Sequence, residues 1–252
     1  MGLVEGETLS QRIANEPLPP QTAAEIARQI ASAVAYAHER GVIHRDIKPA
    51  NVLVDREGRP RITDFGLARR TDSVSDLTGT EQVLGTPSYM APEQAAGGAS
   101  SAGEVADVYA IGATLYCMLT GRPPFQAATA PETLRLVLDS EPVAPQQLNP
   151  AIANDLNTIC LKCLHKEPHR RYPNAAELEA DLGRFIRHEP ILARPVGAFE
   201  RSWKWSRRHP LVAGLSTAVL LATIALIAGG IWYQSRLSRR LDEVRRSRSA
   251  AV

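Results

Sequence analysis

Eight residues, His44-Arg45-Asp46-Ile47-Lys48-Pro49-Ala50-Asn51, constrain this chain more than any other stretch. They place a carboxylate between basic side chains and follow it with an amide. A second acidic string, Asp64-Phe65-Gly66, begins thirteen residues after Asn51. Taken singly, Asp46, Asn51 and Asp64 are ordinary turn residues, because Asp and Asn side chains bond readily to nearby backbone. The two strings in this order and at this spacing mark a chemical site.

The surrounding pattern is mainly helical. Pro17, Pro19 and Pro20 make a stiff lead into a helix. Thr22-Ala-Ala-Glu25 reads as its capping box, and Ile26, Ile30, Ala33, Val34 and Ala37 form its apolar face. Gly41 is placed to end it. Val52-Leu53-Val54 and Arg61-Ile62-Thr63 read as short strands joined by the turn Asp55-Arg-Glu-Gly58. Glu104 to Leu119 is apolar and helical, and amphipathic segments follow at 131–139, 152–164 and 175–187. The stretch from Leu67 to Pro92 has little periodicity and reads as a long connection of the kind that is functional or mobile. Glu5-Gly6-Glu7 looks like a turn.

Composition closes several alternatives. The formal net charge is only +2, which gives no footing for a nucleic-acid partner. Three cysteines, Cys117, Cys160 and Cys163, are too few for a disulfide framework. Cys160 and Cys163 lack a second pair at metal-ligand spacing, and with Leu156, Ile159 and Leu164 they read as the packed stripe of a helix. From Leu211 to Tyr233 there is no charged residue. Those 23 residues would span roughly 34 Å as a helix, enough to cross a bilayer. Trp203, Trp205, Trp232 and Tyr233 stand at its ends, with Arg207, Arg208, Arg236, Arg239 and Arg240 flanking them.

The residues from about Leu3 to Arg187 resemble the C-terminal lobe of a Hanks-type serine/threonine protein kinase of the bacterial, membrane-anchored kind. Besides the two strings above, Gly85-Thr86-Pro87-Ser88-Tyr89-Met90-Ala91-Pro92-Glu93 is similar to the segment that family ends in A-P-E. Asp107-Val108-Tyr109-Ala110-Ile111-Gly112 resembles its buried helix, and Lys166-Glu167-Pro168-His169-Arg170-Arg171-Tyr172 its D-P-x-x-R region, with Glu167 in the Asp position. The resemblance implies transfer of the ATP γ-phosphate to Ser or Thr of protein substrates. Asp46 would accept the hydroxyl proton, Lys48 would lie beside the phosphate, and Asn51 and Asp64 would hold Mg²⁺. Leu53 would form the floor under the adenine, and Thr86 would contact Asp46 and Lys48 while favouring Ser/Thr substrates. Glu93 and Arg171 would pair to anchor the activation segment, and Asp107 would hold the catalytic loop. Arg45 would receive a phosphate on Thr78 or Thr80, with Thr71, Ser73 and Ser75 as weaker acceptors.

The implied organisation is a kinase domain at 1–187 and a basic juxtamembrane linker at 188–210. A single transmembrane helix at 211–233 and an Arg-rich extension at 234–252 follow. The fold class is therefore mainly α with short β-hairpins, followed by one span through membrane lipid. The kinase lobe is expected in the cytoplasm, where ATP is, and trans-autophosphorylation would call for dimerisation. The chain departs from the family in one respect. No glycine-rich loop and no strand lysine stand before His44, and Leu3 to Leu9 resembles the segment just after the interlobe hinge. The expectation is a kinase lacking most of its N-terminal lobe, and so weakly active as this chain. A non-catalytic kinase-like membrane scaffold is the alternative. A small-molecule phosphotransferase shares the loop but not the Gly85–Glu93 and Arg171 matches.

Overall fold

The computed structural model describes residues 6–65, 87–97 and 103–193. Along them run strand β1 (Gly6–Thr8), helices α1 (Leu9–Asn15) and α2 (Pro20–His38), and strands β2 (Val52–Asp55) and β3 (Pro60–Ile62). Helices α3 (Pro92–Ala95), α4 (Glu104–Thr120), α5 (Ala130–Asp139), α6 (Pro145–Leu148), α7 (Asn154–Cys163) and α8 (Ala175–Ile186) follow. Pro49–Asn51, Pro87–Tyr89 and Pro168–Arg170 are single 3-10 turns. Thr78, Thr80, Thr86 and the 211–233 span lie outside the described residues, among which no helix is long and apolar enough to cross a membrane.

Helix α4 forms the middle of the structure because its sequence is apolar on every side. Every residue from Ala106 to Leu119 is buried, which is what a helix without a polar face requires. It packs against α2 and α7, and α2 packs in turn along α8. Gly112 allows the closest approach, since a side chain there would collide with the Cβ of Cys163 on α7. Gly121, at φ +74°, caps α4 in a left-handed conformation, donating its N–H to Cys117 O at 2.8 Å.

The N-terminal region corrects two expectations. Helix α2 begins at Pro20, not at a box formed by Thr22 and Glu25, and no side chain caps it. Proline is preset for the first helical position, where its missing N–H costs nothing. Glu25 instead pairs with Arg28, whose guanidinium also reaches Glu179 on α8 at 2.6 Å. The capping box lies earlier: Thr8 and Gln11 cap α1 reciprocally. Gly6 belongs to a strand, not a turn, and the sheet order is β1-β2-β3, antiparallel throughout. The register pairs Thr8 with Leu53 and Val52 with Ile62. Val52 and Val54 point into the core while Leu53 stays half-buried on the opposite face.

Beyond α8 the chain turns back onto the helices. Ile191 is buried, and the fully buried Asp181 carboxylate accepts three hydrogen bonds. They come from Tyr172 Oη at 2.7 Å, Leu192 N at 2.6 Å and Ala193 N at 2.9 Å. A buried carboxylate is tolerated when donors replace its water in this way.

Candidate active site

The loop between α2 and β2 carries His44 to Asn51, and its shape is set from below by one carboxylate. Asp107, near the start of α4 and 0% exposed, accepts from His44 N at 2.8 Å and from Arg45 N at 2.7 Å. His38, in the last turn of α2, adds a third contact from Nε2 at 2.8 Å. The His44 ring faces the Thr63 carbonyl through Nε2 at 2.9 Å and the Asp46 N–H through Nδ1 at 3.3 Å. A carbonyl only accepts and an amide only donates, which assigns the proton to Nε2. Phe65 packs edge-on against the same ring at 4.7 Å.

Above this support the polar side chains converge. Lys48 Nζ lies 2.8 and 3.1 Å from the two Asp46 oxygens. Asn51 donates Nδ2 to Asp46 Oδ2 and to its backbone oxygen, both at 2.9 Å. Asp46 Oδ2 thus carries two short bonds, and Oδ1 keeps capacity for a further donor. Thr63 ties the second string to the loop: its N–H and hydroxyl both reach Asn51 O, at 2.9 and 3.2 Å. Its hydroxyl also stands 3.5 Å from the exposed Asp64 carboxylate.

Two non-glycine residues of the site occupy left-handed backbone, Arg45 at φ +67° and Asp64 at φ +61°. Such conformations persist where surrounding contacts over-determine them. Asn51 spends its amide hydrogens on Asp46, which leaves its side-chain oxygen as an acceptor. Together with the Asp64 carboxylate this makes a pair of hard oxygen donors, the set that suits Mg²⁺ shared with phosphate and water.

A second polar cluster fixes the segment that follows residue 86. Arg171 and Glu93 form a two-pronged pair at 2.7 and 2.8 Å. The remaining Arg171 donors go to the carbonyls of His165, Lys166 and Val105 at 2.7, 2.9 and 3.2 Å. The Arg171 side chain is 0% exposed and stacks over the Tyr109 ring. Gln94, one residue past Glu93, reaches the His44–Asn51 loop at Arg45 O. Sequence reading missed Gln94, His38 and Thr63, because each acts through a partner distant in sequence and none belongs to a short motif.

Titration behaviour sets other groups apart from this site. Burial pushes the Cys163 thiol up to about 12 and Cys160 well above the ordinary thiol range. Such thiols serve packing, as the helical stripe implies. Lys166 is pulled down to about 8 by burial, with Nζ donating to Val137 O at 2.5 Å over the Phe125 ring.

Comparison with known proteins agrees with this geometry. The family model for the protein kinase domain matches residues 1–181. The chain is 42% identical over 183 residues to the serine/threonine-protein kinase PrkC of Bacillus subtilis, covering 72% of this chain and 28% of that protein. It is 38% identical over 197 residues to the serine/threonine-protein kinase PknB of Mycobacterium leprae, covering 78% and 31%. It thus spans under a third of the length of these relatives. The crystal structure of Rad53 1-466 in complex with AMP-PNP matches at a TM-score of 0.59 and 27% identity, covering 71% of this chain and 44% of that one.

Proposed function

The chain belongs to the protein kinase family, and from that premise we propose that it forms the catalytic lobe of a membrane-anchored serine/threonine protein kinase. The observation that carries the reading is the convergence of Lys48 and Asn51 on Asp46 Oδ2 at 2.8 and 2.9 Å. Asp46 Oδ1 then accepts the hydrogen of a substrate hydroxyl and aims its oxygen at the phosphorus. Lys48 holds Asp46 in place and presents its charge to the phosphoryl oxygens as negative charge moves toward the leaving group. Asn51 and Asp64 would hold Mg²⁺, which when bound neutralises phosphate charge. Leu53, on the open face of the sheet, offers apolar surface to the adenine of ATP.

The Leu211–Tyr233 stretch supports a single membrane span, with the kinase lobe in the cytoplasm beside its ATP. Thr78 and Thr80 are the proposed autophosphorylation sites, with Arg45 as the phosphate's partner and a second copy of the chain as the donor enzyme. Thr86 is proposed to line the substrate hydroxyl's approach. Within these 252 residues no glycine-rich loop or strand lysine precedes His44, so turnover by this chain is expected to be weak. A transfer assay with radiolabelled ATP and a Ser/Thr protein substrate, run beside Asp46→Asn, tests the reading. Label transfer that Asp46→Asn abolishes supports it. Transfer unaffected by Asp46→Asn would overturn the assigned roles. No transfer, even with a glycine-rich N-terminal lobe joined ahead of Met1, would favour the non-catalytic scaffold.

A further inference from the structure

Arg45 holds the left-handed backbone conformation directly before Asp46. Its N–H is secured by Asp107 Oδ1 at 2.7 Å, but that contact lies on the far side of its Cα from the next peptide. The Arg45 carbonyl and the Asp46 N–H share one rigid plane, and its orientation determines where the Asp46 side chain points. The N–H edge of that plane meets His44 Nδ1 at a long 3.3 Å. The carbonyl edge accepts from Gln94 Nε2 at 3.3 Å. Gln94 is itself fixed at its other end, since its Oε1 accepts from Ala91 N at 3.1 Å across the first turn of α3. The half-buried glutamine is therefore a two-ended strut between the start of α3 and the strained peptide.

We propose that Gln94 is a positioning residue for Asp46: it locks the Arg45–Asp46 peptide plane and makes the seating of α3 a condition for correct aim of the carboxylate. Glu93, its neighbour, anchors α3 to Arg171, so one short helix connects the buried anchor to the reacting loop. Neither glutamine contact touches substrate. The idea rests on the kinase reading for its purpose, but its structural core is testable without turnover.

Two substitutions separate the ends of the strut. Gln94→Glu keeps an acceptor for Ala91 N and loses the donor to Arg45 O. Gln94→Lys keeps a donor and loses the acceptor. Backbone amide exchange is followed at His44, Arg45 and Asp46 in the full chain. In Gln94→Glu the Asp46 amide should exchange about three- to tenfold faster, the weight of one neutral hydrogen bond. The His44 and Arg45 amides, held by Asp107, should keep their rates. In Gln94→Lys the Asp46 rate should stay within about twofold of wild type. Unchanged Asp46 exchange in Gln94→Glu, equal acceleration of all three amides, or matching behaviour of the two variants would each overturn the proposal. Where phosphate transfer is measurable, Gln94→Glu should lower kcat and leave the KM for ATP unchanged. A chain without measurable transfer leaves the exchange result to decide alone.

Discussion

Lys48–Asp46 and Arg171–Glu93 are carboxylate–cation pairs of nearly equal length, 2.8 and 2.7 Å, built to opposite ends. The Arg171 side chain is 0% exposed and every one of its donor groups has an acceptor, three of them backbone carbonyls. The Asp46 side chain is 31% exposed and keeps one oxygen lightly used. Saturation makes the Arg171–Glu93 pair rigid and chemically silent. Spare acceptor capacity leaves the Lys48–Asp46 pair open to a further donor, because a group already bonded to its limit cannot take part in a reaction. Bond length does not distinguish architecture from chemistry here; unspent hydrogen-bonding capacity does.

Substitutions at the two pairs should therefore diverge. Asp46→Asn should lower phosphate transfer by about 10²- to 10⁴-fold, the usual weight of a positioned base. It should cost only about 1 kcal/mol of stability, because the half-buried side chain loses its charge-assisted bond to Lys48 but keeps an oxygen for Asn51. Kinetics and a urea melt on the same preparation check both halves, and a large loss of stability would erase the distinction. Glu93→Gln should do the reverse, destabilising the fold by roughly 3–5 kcal/mol because it leaves the Arg171 charge buried without its partner. A melt that shifted no more than that of Asp46→Asn would show that the saturation of Arg171 has little energetic weight.

Asp107 sharpens the contrast because it is as buried as Arg171 yet holds the reacting loop. Asp107→Asn removes an acceptor from His44 N or Arg45 N and should cost about 1–3 kcal/mol for the donor left unsatisfied, together with a loss of transfer. An effect on stability alone would place Asp107 wholly with the architecture. Lys166 gives the smallest effect. Its ammonium is held down to about 8, from an ordinary value of 10.5, by burial. The unfolded chain therefore binds more protons between these values, and stability from this group rises as pH rises through that window. Below about 8 the burial cost is present in full. The difference in melting temperature between wild type and Lys166→Met should change between pH 7.5 and 10 in favour of wild type, by an amount reduced by solvent screening at this half-buried group. A constant difference would show that the lysine does not titrate there.

Much of this was legible because motif residues act near one another in sequence. Asp46, Lys48 and Asn51 lie within six residues, so their convergence needs only one loop. The all-round apolar character of 104–119 announced a central helix. What stayed hidden depended on competition or on distance. Two capping-box strings stand in the first 25 residues, and only the one at Thr8–Gln11 is used, because Pro20 starts α2 two residues ahead of the other. The sheet position of Gly6 depends on pairing with Asp55, and three residues carry too little periodicity to show it. Gln94 reaches Arg45 across 49 positions. His38 meets Asp107 across 69. No local pattern encodes either contact.

The Asp181 clasp has a mechanical consequence. Leu192 and Ala193 are pinned to a carboxylate that also grips Tyr172, the neighbour of Arg171. Tension applied to the chain beyond Ala193 is therefore borne first by the two hydrogen bonds that Leu192 and Ala193 donate to one buried carboxylate. The last turn of α8 is shielded and does not unravel residue by residue. Failure under load should be abrupt, and it should begin next to the anchor that holds Glu93.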